Sequence, residues 1–154
     1  MSLKSGSVNP ELVGRDFPPT PPYLVGREKV REFARAVFAT DPQHTDPAAA
    51  QALGYADVVA PPTFAMVVQD LTLQQLLGEP DSGIELSRVL HAEQRFRYSR
   101  PIVAGDELIA QLSVTGIRTL GGNAMVTSDA EITDAAGDHV VTATSVLLVG
   151  EGDR

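Results

Sequence analysis

The residues with the most chemical promise lie in the stretch Thr40-Asp41-Pro42-Gln43-His44-Thr45-Asp46-Pro47. This polar, proline-punctuated segment sets His44 between two carboxylates, Asp41 and Asp46. An apolar run from Ala60 to Leu77 follows and opens Ala60-Pro61-Pro62-Thr63-Phe64. An imidazole and a carboxylate within reach of one water can pass protons to and from a substrate. A His loop just ahead of a buried helix therefore reads as an acid–base site, with His44 and Asp41 as the candidate pair. Asp46 fits better as the cap of a helix starting at Pro47. Taken as an isolated loop, His44 would read as a packing or capping histidine; its flanking pattern favours chemistry. His91 alternates with charged residues and reads as solvated, and His139, beside a hairpin turn, as exposed. Asp70 with Gln69, Gln74 and Gln75 reads as the partner-facing or solvent side of the long helix. The sequence has no nucleophilic-serine constellation, phosphate loop or His cluster for a metal, and implies no cofactor.

These side chains need elements to hold them. Residues 1–22 read as an extended, partly disordered lead-in, because Pro10, Pro18, Pro19, Pro21 and Pro22 lack the N–H that helices and inner strands use. Met1–Val8, small and polar, is expected to be disordered. A single domain is expected over 23–150. Tyr23-Leu24-Val25 is a short strand, and Gly26–Phe38 a helix with Val30, Phe33, Ala34 and Val37 on one face. Pro47 starts a helix through Ala52 that Gly54 ends. Pro62–Leu77 is a long helix, apolar nearly all round and so buried on most sides, stopped by Gly78 and Pro80.

Beyond it the period becomes two. Leu90, Ala92, Phe96 and Tyr98 alternate with His91, Glu93, Arg95 and Arg97, with Gln94 the one polar residue on the apolar side. Leu108–Val114, Ala124–Ile132 and Val140–Val149 are further strands, separated by Gly- and Asp-rich turns. Helices first and antiparallel strands last give an α+β domain, with a curved antiparallel sheet wrapped around a long central helix. An open sheet edge and an uncovered helix side remain, and dimerisation would close both.

Composition narrows the function. A chain of 154 residues, 43% hydrophobic, has room for one real core. A net charge of −8 argues against a nucleic-acid partner. No cysteine is present, which excludes disulfides and thiolate metal sites. No uninterrupted apolar run reaches about 18 residues, so no membrane span is expected. The N-terminus lacks an apolar signal core. A soluble, cytoplasmic protein is expected.

The run from Val25 to Val149 resembles the MaoC-like branch of the hot-dog fold, the (R)-specific enoyl-thioester hydratases and 3-hydroxyacyl-thioester dehydratases. That family shows Asp-x-Asn-Pro-x-His followed by Asp-Pro, then Ala-His-Gly-Met before the central helix, then Pro-x-x-x-Gly-Asp between strands. Here stand Asp41-Pro42-Gln43-His44-Thr45-Asp46-Pro47, Ala60-Pro61-Pro62-Thr63, and Pro101-Ile102-Val103-Ala104-Gly105-Asp106. Gly26–Phe33 and Ala60–Phe64 look like an actinobacterial subgroup, some members of which serve as substrate-binding partners of a complete subunit in fatty-acid elongation. The resemblance implies addition or removal of water across Cα–Cβ of an acyl thioester.

In that chemistry a His and a carboxylate move protons, and a backbone N–H at a helix start holds the enolate oxygen. His44 matches the family's catalytic His. The family's Asp, five residues earlier, falls on Ala39, and Asp41 falls where the family has Asn. The oxyanion Gly falls on Pro62, which has no N–H. Thr63 offers an N–H or hydroxyl from a shifted point, and Phe64 completes the substrate-binding segment Pro62-Thr63-Phe64. The implied ligand is an acyl-CoA or an acyl-ACP. The implied partner is a second copy or a complete hot-dog paralogue. Two alternatives stay open: a non-catalytic acyl-binding homodimer, and an acyl-thioesterase using Asp41 or Asp70.

Overall fold

Five strands form one antiparallel sheet in the computed structural model, which describes residues 7–151. They are β1 (Tyr23–Leu24), β2 (Val89–Tyr98), β3 (Glu107–Leu120), β4 (Asn123–Thr133) and β5 (His139–Val149), in the order β1-β3-β4-β5-β2. The helices are α1 (Arg27–Ala36), α2 (Pro47–Ala52) and α3 (Ala65–Gly78). The sheet curls as a half-barrel with α3 at its centre, the hot-dog arrangement expected from the sequence. Registers shift at His91/Glu93, Val114/Gly116 and Ile132/Thr133. An extra residue on one strand bends it and raises its twist, which helps the sheet curl.

Each element follows from local sequence. Leu108, Ala110, Leu112 and Val114 of β3 turn inward as their alternation requires and are buried. In α2, Asp46 caps the first turn, its carboxylate accepting from Ala48 N–H at 3.0 Å. Gly54, at φ 93°, ends that turn in a conformation open to glycine.

The long helix differs from its sequence reading. Pro62–Phe64 forms a 3-10 turn, and the α-helix begins at Ala65. Its buried stripe is Ala65, Val68, Gln69, Thr72 and Leu76, so two polar side chains face the core. Gln69 does not mark the solvent side. Its Oε1 accepts from Gln94 Nε2 at 2.8 Å, and Gln94 is the polar residue on the apolar side of β2. The two irregular residues in the pattern satisfy each other, as buried amides require. Asp70 and Gln74 are exposed and pair at 3.2 Å, while Gln75 donates to Pro18 O at 3.0 Å. Met66, Val67, Leu71, Leu73 and Leu77 are only half-buried within this chain.

β2 also departs from strict alternation. Ala92 lies in the bulge between His91 and Glu93, so the inward phase switches there. Leu90 is 64% exposed, and His91 lines a small cavity with Met66, Gln69 and Leu73. His91 is exposed, as its alternation with charged residues suggests, while its ring borders that cavity.

The lead-in is part of the packed body. Its prolines keep it extended, but Leu12 and Phe17 are buried with Leu76, Ile84, Leu112 and Leu147 under the far half of α3. Asn9 N–H donates to Ser82 O at 2.9 Å, and Arg15 grips Asp81 at 2.8 and 3.0 Å. Thr20 exchanges two 2.9 Å bonds with the Ala110 backbone. The core thus reaches N-terminal of residue 23. Most of Met1–Val8 lies outside the described residues. Among the described residues, β2 pairs only with β5, and its other edge is open. No helix among them is long and apolar enough to cross a membrane.

Candidate acyl-binding cleft at His44

The His loop is held from three sides. α1 ends in a left-handed residue, Phe38 at φ 58°, and Ala39 N–H then donates back to Ala34 O at 2.8 Å. Arg31 of α1 donates from Nε to Thr45 O at 2.9 Å. Val59 clamps the loop from the other side, its N–H donating to Gln43 O at 2.9 Å. Val59 in turn bridges Val103, and Ala60 N–H donates to Ile102 O at 2.8 Å. Arg27 grips Asp57 through two bonds of 3.0 and 2.7 Å, which ties the start of α1 to the same segment. That guanidinium holds the Asp57 carboxyl below the usual carboxylate range.

His44 is 9% exposed, and its Nδ1 lies 2.6 Å from Val59 O. A carbonyl only accepts, so Nδ1 carries the hydrogen. In the neutral ring Nε2 is then the bare nitrogen, with no hydrogen bond to any described residue. Fixing one imidazole nitrogen to present the other is how a protein prepares a base or acceptor.

His44 lines a cleft of about 370 Å³ with Val59, Ala60, Pro62, Tyr98, Ser99, Arg100 and Pro101. That volume lies within the range of small-molecule sites. The lining contains no carboxylate. Asp41 is exposed, is absent from the lining, and makes no capping bond with its side chain. Pro62 is at the cleft, whereas Thr63 is exposed and outside its lining. Phe64 is fully buried in the core, edge-on to Phe33 with ring centroids 5.3 Å apart. Of the five candidate residues, the structure brings only His44 and Pro62 together.

It adds three residues that sequence reading did not single out as site residues. Tyr98 donates from its hydroxyl to Pro62 O. Arg100 binds Asp106 at 2.8 and 3.2 Å and Asp134 at 3.2 Å. Ser99 is paired with Nδ1 of His139, whose Nε2 lies 2.7 Å from Thr142 Oγ1 and 3.5 Å from Glu131. His139 is therefore half-buried rather than exposed, because the start of β5 lays it against β4 and the end of β2. The signal for Tyr98 was its inward phase on β2; nothing in the sequence put that strand end beside Pro62.

The Pro101–Asp106 motif meets the cleft at Pro101. Asp106 accepts from Val103 N–H at 2.9 Å as well as from Arg100, and Gly105 N–H donates to Val25 O at 2.8 Å. Gly105 has φ 99°, and a β-carbon there would meet nothing within 4 Å. Gly105→Ala should therefore be penalised through backbone strain alone. We expect a loss of about 1–3 kcal/mol in urea denaturation, and an unchanged midpoint would contradict the role given to this turn.

Comparison with known proteins agrees with this fold. Residues 11–143 match the family model described as "FAS1-like, dehydratase domain region". A UPF0336 protein of Clavibacter michiganensis is 64% identical over 146 residues, covering 95% of this chain and 98% of that protein. A solved MaoC-like dehydratase is 40% identical with TM-score 0.81, covering 92% of this chain and 43% of its own. A C-terminally truncated HadBC (3R-hydroxyacyl-ACP dehydratase) complex from Mycobacterium tuberculosis is 32% identical with TM-score 0.77. It covers 86% of this chain and 92% of the matched one. The chain belongs to the FAS1-like dehydratase domain family, with the hot-dog fold of the MaoC-like dehydratases. Within that family its relatives are UPF0336 proteins of actinobacteria.

Proposed function

We propose that this chain is the acyl-binding subunit of a two-chain (3R)-hydroxyacyl-thioester dehydratase in cytoplasmic fatty-acid metabolism. Its ligand is an enoyl or 3-hydroxyacyl thioester, carried on coenzyme A or acyl carrier protein. Its partner is a second hot-dog chain that carries a complete Asp…His pair. The observation that carries this reading is the His44 cleft: a pinned histidine with a free Nε2, apolar walls, and no carboxylate in the lining. Such a site orients a thioester and accepts one hydrogen bond, but it lacks the second proton-transfer group that hydration needs.

Three further facts support the pairing. β2 leaves an open edge, and an unpaired strand edge is a template for another strand. α3 leaves Met66, Val67 and Leu73 half-buried beside it. This chain also matches only 43% of the solved MaoC-like dehydratase, which leaves room there for a second domain of similar size.

Sedimentation at micromolar concentration tests the reading, on the chain alone and mixed with a hot-dog paralogue that retains the Asp…His motif. A dimer is expected, with the mixed species dominant when both chains are present. A stable folded monomer under both conditions would contradict it.

A further inference from the structure

The cleft poses a donor problem. A thioester carbonyl needs at least one hydrogen-bond donor, and donors placed where charge develops contribute most to such chemistry. Pro62 and Pro101 have no N–H to give. The Val59 N–H is taken by Gln43 O, the Ala60 N–H by Ile102 O, and those of Ser99 and Arg100 by Val140 O. Tyr98 stands opposite Val141 in a non-hydrogen-bonded pair, so its N–H points out from the open edge of β2. His44 gives its Nδ1 hydrogen to Val59 O.

The side-chain donors narrow in the same way. Ser99 is paired with His139, and the two Nη groups of Arg100 are held by Asp106, Asp134 and Pro101 O, leaving only its Nε–H. Of the uncharged side-chain donors in the lining, the Tyr98 hydroxyl is the one whose acceptor is the backbone carbonyl of an exposed residue. It rests on Pro62 O, at the start of the turn that leads into α3.

We propose that Tyr98 is the substrate-binding donor of this cleft, its hydroxyl turning from Pro62 O to the carbonyl oxygen of the bound acyl thioester. The proposal rests on the thioester reading above and names the residue that replaces the absent backbone donor. The change needs only rotation of the phenolic hydrogen about its own C–O bond. The Pro62 carbonyl it leaves belongs to an exposed residue, where water serves as a replacement partner. Burial pushes the Tyr98 phenol up to about 12, so it stays protonated and able to donate throughout the neutral range. The ring packs against Phe96, with centroids 6.2 Å apart, which limits where the hydroxyl sits.

The test uses the full chain and two inert ligands: octanoyl-pantetheine, which carries the arm common to coenzyme A and acyl carrier protein, and its thioether counterpart with CH₂ in place of the carbonyl. Calorimetric affinities are measured for the parent and for Tyr98→Phe, beside their melting midpoints. The parent should bind the thioester roughly three- to tenfold more tightly than the thioether, as one neutral hydrogen bond allows. Tyr98→Phe should bring the thioester down to the thioether's affinity and leave the thioether unchanged.

Equal weakening of both ligands, or of neither, would overturn the role of Tyr98 while leaving the thioester reading in place. Binding of neither ligand by a folded parent would overturn the thioester reading, and this proposal with it. If Tyr98→Phe melts below the assay temperature, Tyr98→Leu and the parent's own thioester-to-thioether ratio decide the question. A parent ratio of one would overturn the proposal.

Discussion

On its own, the chain is expected to hydrate a crotonyl or longer enoyl thioester about 10²–10⁴-fold more slowly than a hot-dog hydratase with a complete Asp…His pair. The expectation rests on two positions. Ala39 supplies no carboxylate, and the exposed Asp41 lies outside the cleft lining. Pro62 supplies no N–H, and losing one oxyanion donor typically slows a reaction on the order of 10²–10³-fold. The two deficits need not multiply, because groups that act as a unit are not additive. Ala39→Asp combined with Pro62→Gly should raise the rate, and His44→Ala should abolish what remains. The assay is the decay of enoyl-thioester absorbance, with all variants measured beside the parent. A doubly substituted chain that stays as slow as the parent would show that more than these two groups is missing.

Phe64→Ala is expected to lose about 3–5 kcal/mol of stability, the usual penalty for emptying a buried aromatic site. The sequence places Phe64 beside Pro62 and Thr63 in a substrate-binding segment. The structure puts its ring at 0% exposure, against Phe33 of α1 and among Val25, Val30, Ala65 and Val68. Its work is to fasten the start of α3 to α1, and so to hold Pro62 at the cleft. Urea denaturation followed by circular dichroism measures the loss. Thr63→Ala, at an exposed neighbour, should stay within about 0.5 kcal/mol of the parent. Equal effects from the two substitutions would mean that the Phe64 packing described here is wrong.

The fold was legible because its signals are periodic. The two-residue alternation of β3 and β4 and the Asp46-Pro47 helix start carry their geometry in the local sequence, and the structure follows them. What local pattern cannot carry is phase after an irregularity. With one bulge at Ala92, Leu90 and His91 are both exposed and the half-buried phase falls on Gln94, Phe96 and Tyr98, and no propensity marks the residue at which a strand will bulge. The burial of Gln69 was hidden for a similar reason. A glutamine on a helix reads as solvent-facing until Gln94, 25 positions away, is known to meet it.

The site was legible in part. The spacing around His44 marked the loop, but the Val59 carbonyl that sets its tautomer is a backbone group, invisible to residue type. Tyr98, Ser99 and Arg100 reach the cleft because β2 ends beside the turn before α3, which is a property of the topology.

The central claim is that this chain binds the acyl thioester while a second hot-dog chain supplies the missing acid. Enoyl-thioester hydration by the chain alone, by a paralogue retaining the complete Asp…His motif alone, and by an equimolar mixture tests it most directly. The mixture should exceed the sum of the separate rates, and His44→Ala or Tyr98→Phe in this chain should raise the KM of the mixture more than they lower its kcat. A parent chain that alone matches a complete hydratase, and loses that rate on Asp41→Ala, would contradict the account: Asp41 would then be the acid, and no partner would be required.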